Sequence, residues 1–293
     1  MPELPEVETI KRGLLTRILN KRIMRIVVLN EKSWRGLPSE RIVGESIVAI
    51  ERRGKALLLR MSNGLYVMVH LRMTGQIIVD EGESGEEAAR FAAGHPDESF
   101  REKMPGRHTR VVIEFEDGVR LYFNDLRKFG FMKVLDELGV QEERFLRKLG
   151  PEPWEMTEDD FWERLQRHRT APVKAVILNQ EVIAGVGNIY ADEGCFVARI
   201  YPGVRCGELT REEADKLLEG LREVMQASID SGGSTMKDYV KADGTRGDYL
   251  EKFAQVFRRN GKSCRECGAE ILKTRVAGRG THYCPRCQRG AEC

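Results

Sequence analysis

Apolar residues recur along this chain with two different periods, and the change from one to the other divides it. Near the start, Val7, Ile10, Leu14 and Ile18 fall three or four apart behind Pro5, the spacing of one buried helix face. The runs 23–29, 47–52, 56–61 and 65–71 then read as strands. Asn63-Gly64 separates the last two and predicts a type I′ hairpin turn. Val111, Ile113 and Phe115 alternate with polar residues, Asp117-Gly118 reverses the chain, and Val119, Leu121 and Phe123 alternate back. One helix and a mostly antiparallel β-sandwich are therefore predicted at the N-terminal end. Segment 80–107 interrupts the pattern. It is rich in Glu, Gly, Ala and Pro, lacks strand alternation and predicts a long acidic surface loop.

Beyond Leu149-Gly150-Pro151-Glu152-Pro153 the period becomes helical. Thr157 and Asp160 precede Phe161, Trp162 and Leu165. Thr210 and Glu213 form a capping-box pattern ahead of Ala214, Leu217, Leu218, Leu221, Val224 and Ile229. Between these helices lie 172–180 and the turn Ala184-Gly185-Val186-Gly187-Asn188, with a further short helix after it. The expected organisation is α+β and multidomain: a sandwich domain over 1–136, a linker over 137–152, a helical domain over 153–253 and a terminal segment over 254–288.

Composition adds limits. Of 293 residues, 41% are hydrophobic and 32% charged, which excludes wholesale disorder. No run approaches the ~18 apolar residues of a membrane-spanning helix. The acidic, proline-punctuated start is unlike a secretory leader, so a cytoplasmic protein without membrane attachment is expected. A net charge of +2 conceals an uneven distribution: Arg258–Arg289 holds nine Lys/Arg against two acids, whereas Asp80–Met104 holds eight acids against three bases. A basic end suits a polyanion partner.

Seven cysteines occur, four of them as Cys264-x2-Cys267 and Cys284-x2-Cys287. Two Cys-x-x-Cys turns can present four thiolates to one tetrahedral Zn²⁺, a closed structural site that folds a segment too short to fold alone. Arg275, Arg279, Arg286 and Arg289 surround these turns, as a solvated face or as a nucleic-acid contact. At the other end, removal of Met1 would leave Pro2 with a secondary amine. Its ordinary pKa of about 8 leaves far more of it unprotonated near neutrality than a lysine. Such an amine can attack an aldehyde-like carbon. Residue by residue, the same stretch also reads as a proline start with helix-capping acids at Glu3 and Glu6.

The opening Met1-Pro2-Glu3-Leu4-Pro5-Glu6-Val7-Glu8-Thr9 resembles the start of formamidopyrimidine-DNA glycosylases, base-excision enzymes for oxidised purines. The likeness continues through Arg52-Arg53-Gly54-Lys55, His70-Leu71-Arg72-Met73-Thr74-Gly75 and Asp125-Leu126-Arg127-Lys128-Phe129-Gly130. It extends to Gly185-Val186-Gly187-Asn188-Ile189-Tyr190, Gly232-Gly233-Ser234-Thr235 and Ala277-Gly278-Arg279-Gly280-Thr281-His282-Tyr283-Cys284. Leu4 follows the purine branch, where the related endonuclease VIII branch typically has glycine.

The resemblance implies a β-sandwich with an N-terminal helix, a helix-two-turns-helix domain with a lesion-capping loop, and a four-cysteine zinc hairpin holding one structural Zn²⁺. It implies excision of the base followed by β- and δ-elimination, on double-stranded DNA carrying oxidised bases or abasic sites, by a monomer. Pro2 is then the nucleophile, Glu3 its acid/base partner, and Lys55 and Arg279 phosphate-binding groups that assist elimination. Met73, Arg127 and Phe129 fill the gap left by a flipped base. Glu6, His108, Arg169, Lys174 and Asn188 are the remaining expected DNA contacts. Arg110 stands where the family pattern has a second histidine, and Gln255-Val256-Phe257-Arg258-Arg259 replaces a common tyrosine-glycine-arginine ending.

Overall fold

The computed structural model describes residues 2–82, 90–94, 103–233 and 252–290. They form two compact units, one built on residues 1–147 and the other on 148–231 and 252–290, with Gly232 and Gly233 grouping with the first.

The first unit is the expected sandwich. Helix α1 (Leu4–Leu15) precedes β1 (Ile23–Val28), β2 (Trp34–Gly36), β3 (Ile47–Arg53), β4 (Ala56–Met61), β5 (Tyr66–His70) and β6 (Gly75–Asp80). The strands β7 (Arg90–Gly94), β8 (Thr109–Phe115), β9 (Arg120–Asp125) and β10 (Phe131–Leu135) complete it. One five-stranded sheet runs β1-β8-β9-β6-β7 and the other β2-β10-β5-β4-β3. All neighbours are antiparallel except β2 and β10. Between the sheets the alternating residues Ile77, Val79, Val111, Ile113, Leu121 and Phe123 meet Leu57, Leu59, Val67 and Val69. The four apolar positions of the first helical stretch predicted from their spacing are all buried in the same core.

Three expectations require correction. The acidic 80–107 segment is not all loop: Arg90–Gly94 is an edge strand paired with β6, and its Phe91 and Ala93 enter the core. Residues 83–89 and 95–102 of that segment lie outside the described residues. Residues 137–147 are not a linker. Helices α2 (Glu137–Glu142) and α3 (Arg144–Arg147) lay Val140, Phe145 and Leu146 on Leu58, Met68 and Phe131 of the second sheet. The run Ala56-Leu57-Leu58-Leu59 is apolar on both faces because both faces are covered. The turn at Asn63-Gly64 is also not type I′. Gly64 alone is left-handed (φ 84°) and its N–H reaches the Met61 carbonyl at 3.0 Å. That is a three-residue loop with glycine at the bulge, and Gly118 repeats it (φ 83°).

In the second unit, α4 (Glu158–Gln166), α5 (Val173–Ile177), α6 (Asn188–Val197) and α7 (Arg211–Asp230) precede the hairpin β11 (Leu272–Val276) and β12 (Arg279–Tyr283). Thr157 and Thr210 cap α4 and α7 as expected, and Glu213 completes the box by accepting from the Thr210 N–H at 2.9 Å. Helices α6 and α7 approach closely because Gly194 faces Leu221, where a Cβ would lie 2.7 Å from a Leu221 methyl carbon. No helix among the described residues is long and apolar enough to cross a membrane.

Gly13 in α1 gives a test of the corrected edge strand. A Cβ there would stand 2.2 Å from the Phe91 ring. Helix propensity alone favours alanine by about 1 kcal/mol. Overpacking reverses the sign, so Gly13→Ala is expected to lower unfolding free energy by about 1–3 kcal/mol in urea titrations. A stabilised Gly13→Ala protein would show that Phe91 is not seated against α1.

Candidate active site

The N-terminal groups are set by the first turn of α1. Glu3 is its N-cap, and the Glu6 carboxylate accepts from the Glu3 N–H at 2.8 Å, closing a capping box. Pro2, Glu3 and Glu6 are all buried. Glu6, expected to touch DNA, holds the helix start through one carboxylate oxygen.

Two residues further on, Glu8 accepts from Arg52 Nε at 2.9 Å. Arg52 also donates to the Gly54 carbonyl at 3.1 Å. Burial alone would raise the Glu8 carboxyl; the Arg52 hydrogen bond and the Lys11 and Arg52 charges outweigh it and hold the group below the usual carboxylate range. Arg52 thereby fastens the helix that carries Pro2 and Glu3 to the β3–β4 turn that carries Lys55. Gly54 makes that turn possible in the left-handed region (φ 54°). Lys55 is only 6% exposed, so it is not the ordinary surface lysine that a turn suggests.

His70, at the end of β5, was not expected among the functional groups. Burial, followed by the Arg72 and Lys55 charges, lowers its pKa to about 3. The ring is therefore neutral at physiological pH. Its Nδ1 accepts from the Arg72 N–H at 3.1 Å, which places the ring hydrogen on Nε2. Met73 and Phe129 protrude from two turns at 44% and 50% exposure. Arg127 lies with both: its Nη1 is 3.0 Å from Met73 Sδ and its guanidinium carbon 4.8 Å from the Phe129 ring centre. His108 is half-buried.

In the second unit, α6 organises the hairpin. Lys174 is 0% exposed and spends its three donors inside the protein, on Asp192 Oδ1 (2.6 Å), the Gly280 carbonyl (2.8 Å) and Thr281 Oγ1 (2.9 Å). Its expected phosphate contact is therefore replaced by a structural one, since no proton is left to offer. Asp192 Oδ2 accepts from the His282 N–H at 2.9 Å. The Asn188 side-chain amide, at the first turn of α6, also donates to the Gly280 carbonyl, at 3.0 Å. Lys174 and Asn188 thus converge on the backbone next to Arg279. That arginine is exposed just past a two-residue turn in which Ala277 and Gly278 are both left-handed (φ 48° and 75°). Arg169 is exposed as well.

Glu193, adjacent to Asp192, accepts from the N–H groups of Gln255 (2.8 Å), Val256 (2.9 Å) and Phe257 (2.7 Å). Burial pushes its carboxyl up despite these three donors. Only main-chain groups are used, so the unusual side chains of 255–259 leave this attachment intact. Asp192 and Glu193 had one sequence signal: two consecutive acids in a helix otherwise buried and apolar. A lesion-capping loop expected late in 153–253 lies outside the described residues.

The four knuckle cysteines converge. All four Sγ atoms lie within 4.8 Å of one another. Cys264–Cys287 and Cys267–Cys284 are 3.9 and 3.4 Å apart. Four thiolates at about 2.3 Å from a tetrahedral Zn²⁺ stand about 3.8 Å from each other, so the donor set fits that ion. Gln288 joins the knuckle to the helical domain, accepting from the Cys284 N–H and donating to the Ile200 carbonyl, both at 2.8 Å.

Comparison with known proteins agrees with this arrangement. Residues 1–132 match the formamidopyrimidine-DNA glycosylase N-terminal domain and residues 149–240 the H2TH domain of the same enzymes. Residues 261–290 match the zinc finger found in FPG and IleRS. The chain belongs to the formamidopyrimidine-DNA glycosylase family. A glycosylase of that name from an Exiguobacterium species is 38% identical over 295 residues, covering 99% of this chain and 100% of the relative. One from Cereibacter sphaeroides is also 38% identical, covering 99% and 100%. Among solved structures, the Thermus thermophilus protein aligns with a TM-score of 0.81 at 36% identity, covering 98% of each chain. The Lactococcus lactis enzyme bound to Fapy-dG-containing DNA aligns with a TM-score of 0.81 at 32% identity, covering 98% of this chain and 100% of that one.

In this chain the zinc is structural and its removal is expected to act locally. Cys267→Ser should lose the metal and most duplex affinity while the sandwich keeps its own unfolding transition; full affinity in the metal-free protein would contradict this. Lys174→Met tests the burial of that lysine. Removing one partner of a buried pair costs about 3–5 kcal/mol, so the second unit should melt earlier and release zinc more readily. The slope of log K against log salt for DNA binding should stay unchanged. A slope smaller by about 0.9 would mean that a phosphate contact was lost.

Proposed function

We propose that this chain excises oxidised purines, 8-oxoguanine and formamidopyrimidines, from duplex DNA through its N-terminal proline and then cleaves the strand. The observation that carries the reading is the Glu8–Arg52 ion pair, which fastens the helix bearing Pro2 and Glu3 to the turn bearing Lys55. Support for the substrate class comes from the Lactococcus lactis relative, crystallised on Fapy-dG-containing DNA.

Once Met1 is removed, the Pro2 nitrogen carries a basic lone pair. It bonds to C1′ of the damaged nucleotide as the C1′–base bond breaks, and the base leaves with that electron pair and gains a proton. The nitrogen gives up its own proton. Its lone pair makes the second bond to C1′ as the C1′–O4′ electrons move to O4′, and Glu3 protonates O4′, leaving an iminium between Pro2 and C1′. The iminium acidifies C2′. Loss of that proton expels the 3′ phosphate, a second proton loss expels the 5′ phosphate, and water frees Pro2. Lys55 and Arg279 hold phosphates through these steps. Met73, Arg127 and Phe129 enter the stack in place of the extruded nucleotide. His108, Arg169 and the N-terminus of α6 at Asn188 contact the backbone.

Blocking the nitrogen tests the chemistry. A non-cleavable N-terminal tag turns it into an amide, whose lone pair is delocalised. Excision of 8-oxoguanine and borohydride trapping are expected to fall by ~10³-fold or more, the scale of losing a covalent nucleophile. Binding to an abasic-site analogue should persist. Trapping at the normal rate by the tagged protein would move the nucleophile elsewhere, with Lys55 first to examine. A panel of duplexes with oxidised purines and pyrimidines tests the substrate class, and preferential excision of pyrimidines would place the chain with the other branch.

A further inference from the structure

Arg127 contacts both Met73 and Phe129, although both turns that carry them are strained. Each turn contains a non-glycine residue in the left-handed region, Arg72 (φ 51°) in one and Lys128 (φ 58°) in the other. Such residues cost of order 1 kcal/mol or more each and persist only where the surroundings over-determine them. The surroundings here converge on a single residue, Asp125.

Asp125 ends β9 and is 0% exposed. Its Oδ1 accepts from the hydroxyl of Thr74, one residue past Met73, and from the Arg127 N–H at 3.2 Å. The Thr74 hydroxyl oxygen accepts from the same Arg127 N–H at 3.0 Å, so the two turns are joined directly. Oδ2 accepts from the Gly130 N–H at 2.6 Å, fixing the far end of the turn that holds Phe129. The main chain of Asp125 is engaged too: its N–H donates to the His108 carbonyl at 2.9 Å, and its carbonyl accepts from Arg110 Nε at 2.8 Å. Arg110 is buried and also reaches the Arg107 carbonyl, at 3.2 Å. The residue that departs from the family's histidine therefore faces inward, against the base of the turn.

We propose that Asp125, Thr74 and Arg110 form a positioning unit that holds Met73, Arg127 and Phe129 ready to fill the DNA stack, so that the rate of base extrusion depends on three residues that do not touch DNA. This rests on the reading of the exposed trio as the gap-filling group. Asp125→Asn is the sharpest variant. Both carboxylate oxygens face N–H donors, whereas an amide offers one oxygen and turns an NH2 toward either Gly130 or Arg127 whichever way it is placed. Thr74→Val removes the hydroxyl link at nearly constant volume, and Arg110→Met leaves the Asp125 carbonyl without its buried donor.

The experiment uses the full-length zinc-loaded protein and two substrates. One is a duplex with 8-oxoguanine beside a 2-aminopurine, whose fluorescence reports extrusion in stopped flow. The other is a single-stranded abasic oligonucleotide, where borohydride trapping needs no stack to be filled. Asp125→Asn, Thr74→Val and Arg110→Met are expected to slow extrusion by about tenfold to a hundredfold, the scale of an ångström-sized misplacement. Trapping on the single strand should stay within about twofold of the unsubstituted protein, and Thr74→Ser should restore extrusion. Extrusion at the normal rate in Thr74→Val and Asp125→Asn overturns the proposal. So does an equal loss on both substrates, or a Thr74→Val chain that fails to fold, since either shows a general structural role. Met73→Ala separates the underlying reading: if it extrudes the base normally, the trio is not the gap-filling group, whatever the other variants do.

Discussion

A carboxylate removed from water must find its donors close by, because the desolvation penalty is several kcal/mol and only direct hydrogen bonds offset it. Glu8, Asp125, Asp192 and Glu193 all meet this constraint, and in each case the donors belong to an element that carries, or leads to, a proposed site residue or the zinc knuckle. Glu8 draws in Arg52 and with it the Lys55 turn. Asp125 draws in the Met73 and Phe129 turns. Asp192 draws in Lys174 and the strand after Arg279, and Glu193 draws in the chain leading to the zinc knuckle. The acids thus hold in place the elements that carry the proposed site residues. Breaking one such contact costs more than the intact pair contributes, since it strands a charge in a low-dielectric interior.

The division between anchors and working groups explains which departures from the family pattern the fold absorbs. Residues 255–259 are bound through their main-chain N–H groups, which any non-proline residue supplies, so side chains there can change without loosening the attachment. Arg110 is a different case. A guanidinium reaches two carbonyls that a shorter ring cannot serve in the same way, and the Asp125 turn is gripped from a second side. A position that differs from the family is therefore not automatically a changed DNA contact; here it alters a support.

Much of this was legible in the sequence, for a definite reason. The two-residue and three-to-four-residue periods report which side of an element is buried, so α1, the β8–β9 pair and the caps at Thr157 and Thr210 could be read directly. Paired cysteines report their own convergence. What the pattern does not report is what lies over a face. The two apolar faces of Ala56-Leu57-Leu58-Leu59 required a second cover, which 137–147 supplies. Five residues of strand at 90–94 were outweighed by the acids around them, though Phe91 and Ala93 alternate correctly. The family resemblance puts Lys174 at a basic position expected to contact phosphate, and the sequence does not show that it is buried. Its partner Asp192 is 18 residues away, and no local pattern joins the two.

If Met73, Arg127 and Phe129 fill the DNA stack, as proposed, their contact with one another has an energetic consequence for recognition. Two large apolar side chains left half exposed forgo burial, and two left-handed residues add strain. The fold offsets both through the contacts of Asp125. Ordering a flexible loop at the moment of binding would instead charge about 1–2 kcal/mol per residue against the unstacking of a base. Unstacking itself requires a few kcal/mol, and least for a damaged base. On the proposed reading, a wedge whose members already contact one another leaves more of the contact energy available for that step than one that must first be ordered.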